Sequence, residues 1–162
     1  TVQMGSGYRG DLWLARSGKG KIVNVTPADY RYFAIKVGFK SQLVPGKNKP
    51  NGCIKLEIFD DGIKKIGPEY FGTGGDANNR YEILGASEIS TTEPNVLYYD
   101  LQSKYKTVTP TDWNQVFDLV QCKFVIADFP ETAQTYDLYW IRSFKSIEEL
   151  QAFVDSENNT NE

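Results

Sequence analysis

Apolar and polar residues alternate along several short stretches of the chain, and this alternation predicts strands that bury one face. The clearest case is residues 32–39, where every odd-numbered residue is Phe, Ile or Val. Similar runs predict further strands at residues 53–59, 81–89, 96–101, 121–129 and 135–144. Turn-forming residues separate these runs, and the longest connection, residues 67–80, carries four glycines. Long connections of this kind in compact domains are usually functional or mobile.

A helix is predicted at the C-terminal end. Ser146 and Glu149 form a capping box, in which each side chain satisfies a backbone N–H of the first turn. An apolar stripe at helical spacing follows: Ile147, Leu150, Phe153 and Val154. A second, short helix is predicted at residues 112–119, with Thr111 as its N-cap.

These elements predict one domain with an all-β fold, because 162 residues suffice for a single core and short strands dominate. We expect a jelly-roll β-sandwich of antiparallel strands with one short C-terminal helix. The domain is expected to cover residues 1–155, and the polar residues 156–162 to form a tail or linker.

Composition narrows the function classes. The chain has three Trp, ten Tyr and nine Phe but no His, which excludes Ser–His–Asp and Cys–His catalytic arrangements. Its net charge of −3 argues against a nucleic-acid partner. No stretch approaches the ~18 apolar residues that suggest a membrane-spanning helix. The glycines at 72–75 lack the Lys-Ser/Thr of a phosphate-binding loop.

The sequence leaves three questions undecided: the role of the carboxylates, the presence of a calcium ion and the state of the cysteines. Paired carboxylates are compatible with a glycosidase, although solvated or capping roles are favoured; the candidates are Glu57, Glu69, Glu82, Glu88, Asp100, Asp128 and Asp137. No cofactor is expected; a structural calcium ion is the alternative, with oxygen donors at Asp60, Asp61, Asp128 and Asp137. The two cysteines, Cys53 and Cys122, either form one disulfide or remain as two thiols.

The aromatic excess points to a ligand with apolar faces. A pyranose stacks on an aromatic ring while its hydroxyls reach polar side chains at the edge of the ring. The ring candidates are Trp13, Tyr70, Phe71 and Trp113, and the hydroxyl partners are Asp76, Asn78, Asn79 and Arg80. Trp140 is expected in the core instead, on a strand whose alternation places it with Leu138 and Arg142.

Four segments carry a resemblance to a known family: residues 29–36, 97–101, 123–129 and 136–146. They resemble the xylan-binding modules inserted in family 10 glycoside-hydrolase xylanases of gut bacteria, over about residues 13–153. The resemblance implies a jelly-roll sandwich without catalytic activity of its own that binds xylan or xylo-oligosaccharides. It also implies a xylanase catalytic domain in the same chain and an extracellular or cell-surface location.

The expected function is therefore a non-catalytic xylan-binding module that targets an attached xylanase to its substrate. Two alternatives belong to other classes. One is a carboxylate-dependent jelly-roll glycosidase. The other is a protein-binding adhesion module anchored by the aromatic loop at residues 67–80.

Overall fold

A computed structural model describes residues 1–3, 9–15, 23–25, 29–39, 53–60, 81–100, 117–127 and 135–159. The elements in chain order are β1 (Val2–Gln3), β2 (Arg9–Ala15), β3 (Val23–Val25), β4 (Tyr32–Phe39), β5 (Cys53–Asp60), β6 (Glu82–Ile83), β7 (Asn95–Asp100), β8 (Phe117–Ala127), β9 (Thr135–Phe144) and α1 (Ile147–Asn159).

The strands form two antiparallel sheets. The first has five strands in the order β1-β9-β4-β7-β6. The second is built around β8, which pairs with β2, β3 and β5. The expectation of an antiparallel, β-rich fold with one C-terminal helix is confirmed.

Both faces of the five-stranded sheet carry buried residues. On the first, here called the inner face, alternate residues of β4 and β7 are buried, including Ile35, Val37 and Leu97. The ring of Phe124 from β8 meets the ring of Tyr136 from β9 edge-on, with centroids 6.2 Å apart. The second sheet therefore contacts the first through this inner face.

The opposite side, here called the outer face, carries the helix. Leu150 of α1 packs against Ala34, Val96 and Phe144. Burial of an aliphatic side chain of this size stabilises a fold by about 1.5–3 kcal/mol. The apolar stripe read from the sequence is thus the side of α1 that packs on the sheet.

The predicted capping box forms with one difference. The N–H of Glu149 donates to Ser146 Oγ at 3.2 Å, as expected, but the Glu149 carboxylate accepts from the N–H of Lys145 at 2.7 Å. Hydrogen bonds with its own N–H and the Ser146 hydroxyl lower the pKa of Glu148. α1 continues through Asn159, beyond the residue at which we placed the start of the polar tail.

Two predicted elements are wrong. The strand expected at residues 81–89 is limited to Glu82–Ile83, because the chain turns at residues 84–85 and Gly85 adopts a φ of +73°. Residues 117–119, expected to be helical, begin β8 and pair with β3. Pairing to a neighbouring strand outweighs the local helical preference there. Residues 111–116 lie outside the described part of the chain.

The β5–β8 register separates the two cysteines. Cys53 pairs with Ala127, and Cys122 pairs with Ile58. Because Ile58 is five residues along β5 from Cys53, the two cysteine Cα atoms lie about 16 Å apart. A disulfide needs Cα atoms within ~7 Å of each other. Of the two arrangements left open by the sequence, the register excludes a Cys53–Cys122 disulfide within one chain.

Candidate functional site

The sequence-predicted ligand residues fall almost entirely outside the described chain. Trp13 lies on β2, opposite Lys123 of β8. The others lie outside the described residues: Tyr70, Phe71, Trp113, Asp76, Asn78, Asn79 and Arg80. The described candidate site is therefore built from other residues.

Of the metal and carboxylate candidates, only some lie in the described part of the chain. Asp61 and Asp128 are outside the described residues, and Asp137 interacts with the N-terminal residue Thr1. Within the described ranges, no group of three or more acidic, Cys or His residues is placed to hold a metal ion.

Asp100 accepts two hydrogen bonds from the Arg31 guanidinium, at 2.7 and 2.6 Å. This bidentate pair joins the start of β4 to the end of β7.

An irregularity in β9 determines which side chains reach the outer face. Lys36 of β4 pairs with Trp140, and the next residue, Val37, pairs with Leu138. Tyr139 is therefore an extra residue, and a bulge of this type places it on the same side as Trp140. Leu138 lies on the inner face, so the expectation that it shares a face with Trp140 is wrong.

The ring of Tyr139 is the most exposed large hydrophobic group described. Its residue is 54% exposed, against 43% for Tyr30. A side chain at Gly38 would place its Cβ 3.4 Å from Tyr139 Cε2. The Tyr139 ring therefore lies beside the β4 backbone at Gly38, where a Cβ would just touch its edge. More than half of the Tyr139 surface stays open to solvent.

A carboxylate from the last turn of α1 organises the polar groups beside this ring. One oxygen of Glu157, Oε2, accepts from Trp140 Nε1 at 2.9 Å and from Lys36 Nζ at 3.1 Å. The same Lys36 ammonium lies 5.7 Å from the centroid of the Tyr139 ring. The helix, the sheet and the exposed ring therefore meet at one place.

The contacts continue along α1 to a second cation. The Trp140 and Phe153 rings are in T-shaped contact, with centroids 5.3 Å apart. The guanidinium carbon of Arg142 lies 4.3 Å from the centroid of Phe153. We call this continuous set the outer-face stripe: Tyr139, Lys36, Glu157, Trp140, Phe153 and Arg142.

The second exposed ring, Tyr30, lies at the other end of β4. Lys145 Nζ is 5.6 Å from its centroid. The neighbouring Arg31 lies over the ring of Tyr32 at 5.3 Å, and its hydrogen bonds with Asp100 raise the pKa of Arg31. The Tyr32 ring in turn contacts Tyr98 at 6.2 Å. This end is dominated by contacts that link β4, β7 and β9.

The outer-face stripe suits a ligand with apolar faces and polar edges. Tyr139 offers the flat apolar surface, while Lys36, Glu157 and Arg142 supply charged hydrogen-bonding groups. Sequence reasoning missed Tyr139 because a bulge is not visible in simple alternation. The available signal was four consecutive large apolar residues at positions 138–141, which a strand with regular alternation does not explain.

Comparison with known proteins gives one match. Residues 1–150 match the family model described as Domain of unknown function (DUF4979). The chain belongs to the DUF4979 family. The DUF4979 match contains all nine described strands and the first turn of α1, so it includes Lys36, Tyr139 and Arg142. Phe153 and Glu157 lie beyond the residues matched to DUF4979. Neither a curated protein nor a solved structure matches the chain.

No helix in the described part of this DUF4979 chain combines the length and apolar character needed to cross a bilayer.

Proposed function

We propose that this chain is a non-catalytic carbohydrate-binding module that binds xylan or xylo-oligosaccharides by aromatic stacking. The observation that carries the proposal is the exposed Tyr139 ring, which lies beside Gly38 and Lys36, with Glu157 hydrogen-bonded to that lysine. The resemblance of four sequence segments to xylan-binding modules supports xylan as the ligand class.

Stacking on such a ring gives modest affinity. An aromatic contact contributes about 0.5–1.5 kcal/mol beyond the apolar area that it buries. Two or three stacked rings of about 1–2 kcal/mol each total at most about 6 kcal/mol, which corresponds to dissociation constants of tens of micromolar or weaker. We propose that Tyr139 supplies one contact and that Trp13, Tyr70, Phe71 and Trp113 supply others, with Asp76, Asn78, Asn79 and Arg80 as hydroxyl partners.

The proposal also covers the architecture of the module, its location and its attachment to a catalytic domain. The two antiparallel sheets, in contact through Phe124 and Tyr136, support a jelly-roll sandwich as the complete architecture. By the same resemblance, the module acts at an extracellular or cell-surface location. It raises the local substrate concentration for a xylanase catalytic domain in the same chain, because tethering makes the second encounter intramolecular.

Calorimetric titration of the purified protein with xylohexaose tests the proposal. We expect saturable binding, weakened about fivefold to thirtyfold in Tyr139→Ala, since one stacked ring contributes on the order of 1–2 kcal/mol. Tyr139→Phe retains the ring plane and is expected to bind within about twofold of wild type. Tyr30→Ala is the matched control, because it removes the other exposed ring.

Absence of heat at millimolar xylohexaose contradicts the proposed function. Unchanged binding by Tyr139→Ala removes Tyr139 from the site. Release of reducing sugar from xylan by the isolated protein supports the glycosidase alternative instead.

A further inference from the structure

Arg142 differs from the other cations of the five-stranded sheet in its electrostatic pairing. Arg31 is neutralised by Asp100, and Lys36 is neutralised by Glu157, at 2.6 and 3.1 Å. Among the residues that the structure describes, Arg142 has no carboxylate within ion-pair distance, and its side chain contacts the Phe153 ring instead. It therefore contributes an uncompensated positive charge to the outer-face stripe.

The guanidinium of Arg142 lies over a ring that is itself packed. Phe153, which lies 4.3 Å from the guanidinium carbon, is itself held by Trp140 at 5.3 Å and Phe144 at 5.6 Å. A stacked guanidinium keeps its N–H donors at its edge, in the fork geometry that matches a carboxylate. Less conformational freedom is then lost when an anion binds.

The carboxylates near Arg142 are engaged elsewhere. Glu149, one helical turn before Phe153, accepts the N–H of Lys145. Glu157, one turn after it, accepts from Trp140 and Lys36. The guanidinium thus remains available to a carboxylate from a ligand, in a chain whose net charge of −3 otherwise disfavours anions.

We propose that Arg142 binds the carboxylate of a uronic acid branch while Tyr139 stacks on a backbone sugar, so that the ligand is an acidic xylan. This inference rests on the proposed function. Tyr139 and Arg142 share the outer face of β9, and three strand residues span at most about 10 Å. That distance accommodates a backbone sugar and a branch on a neighbouring sugar.

Affinity electrophoresis and calorimetry with two matched polymers test the inference. One is glucuronoxylan, and the other is the same polymer after reduction of its carboxyl groups to alcohols. We expect wild type to bind glucuronoxylan about threefold to tenfold more tightly than the reduced polymer, as an exposed charge-assisted hydrogen bond allows. We also expect this preference to shrink as salt is raised from 50 to 500 mM, because salt screens exposed charges.

Variants of Arg142 test whether this residue causes the preference for glucuronoxylan over the reduced polymer. Arg142→Met keeps an apolar stem over Phe153 without charge, and it is expected to bind both polymers equally. Arg142→Lys retains the charge without the fork and should give an intermediate ratio. Lys145→Met is the matched control, because Lys145 also lies over an aromatic ring, that of Tyr30, but at the other end of the face. Circular dichroism and thermal unfolding establish that each variant is folded.

The possible failures are distinguishable. Equal binding of wild type to both polymers overturns the acidic-xylan inference and leaves the proposed function intact. Retention of the preference by a folded Arg142→Met variant overturns the assignment to Arg142. Failure of wild type to bind either polymer overturns the proposed function and the inference together.

Discussion

Asn95 joins the turn at residues 90–93 to the inner face of the five-stranded sheet. Its Nδ2 donates to the carbonyl oxygen of Ser90 at 2.8 Å, and its Oδ1 accepts from the N–H of Ser90 at 2.7 Å. The Ser90 hydroxyl accepts in turn from the N–H of Glu93 at 3.0 Å. Asn95 itself is only 4% exposed. The Asn95 amide therefore supplies hydrogen bonds to the backbone of this turn.

We predict that Asn95→Ala lowers the free energy of unfolding by about 1–3 kcal/mol, because it removes hydrogen bonds to partly buried backbone groups of Ser90. Urea denaturation monitored by circular dichroism measures the change. Thr92→Ala removes an exposed hydroxyl from the same turn and should cost no more than about 0.5 kcal/mol. Equal transition midpoints for the two variants would show that the Asn95 amide is not needed.

At the scale of elements, the strand register determines the state of the cysteines. The β5–β8 pairing places Cys53 and Cys122 five residues apart along the sheet. We predict that the monomeric protein, denatured without reductant, shows two reactive thiols per chain with a thiol reagent. Intact mass before and after alkylation supplies the second measurement. A single internal disulfide would contradict the register of β5 against β8.

Some elements were predictable because their pattern of apolar and polar residues agrees with the burial of those residues in the fold. β4 and β9 have the predicted bounds, and α1 begins at the predicted cap. Residues 84–89 were wrongly assigned because their apolar residues do not reveal the positive φ of Gly85. Residues 117–119 were wrongly assigned because pairing with β3 decides their conformation. Both errors arise from information outside the local sequence.

The site was less predictable than the fold, for a related reason. Trp140 was correctly expected among packed residues, since it adjoins the cluster of Ala34, Val96, Phe144 and Leu150. The exposure of Tyr139 depends on the β9 bulge, which lies opposite Lys36 and Val37 of the distant strand β4. The pairing of Lys36 with Glu157 likewise needs the helix folded back over the sheet. Such contacts require tertiary structure.

At the scale of the whole molecule, Tyr136 connects the two sheets. Its residue is only 3% exposed, and its ring contacts Phe39 in the first sheet and Phe124 in the second. Burial raises the pKa of Tyr136 from 10.0 to about 12. Ionisation of this phenol therefore opposes the association of the sheets.

We predict a loss of stability in alkaline solution. Below pH 10 the Tyr136 phenol is protonated in both the folded and the unfolded protein, so its burial contributes to stability in full. Between pH 10 and 12 the unfolded chain loses the proton first, so the free energy of unfolding falls by about 1–2 kcal/mol. Urea denaturation at pH 9 and pH 11 measures the difference.

Tyr136→Phe should reduce this alkaline loss, whereas Tyr30→Phe, which removes an exposed phenol, should leave it as in wild type. An identical pH dependence in Tyr136→Phe and wild type would remove Tyr136 as the source.

The bulge at Tyr139 also affects which changes in chain length the protein tolerates. On one side of it Tyr136 and Leu138 lie on the inner face with even numbers, and on the other side Ile141 lies on the inner face with an odd number. Deleting Tyr139 would make Leu138 and Trp140 neighbours opposite Val37 and Lys36, so the strand would alternate regularly and both halves would keep their faces. Deleting another residue of β9 would instead turn over the residues between the deletion and the bulge, because a shift of one residue exchanges the two faces of a strand. A single-codon deletion is therefore tolerated best at the bulge itself.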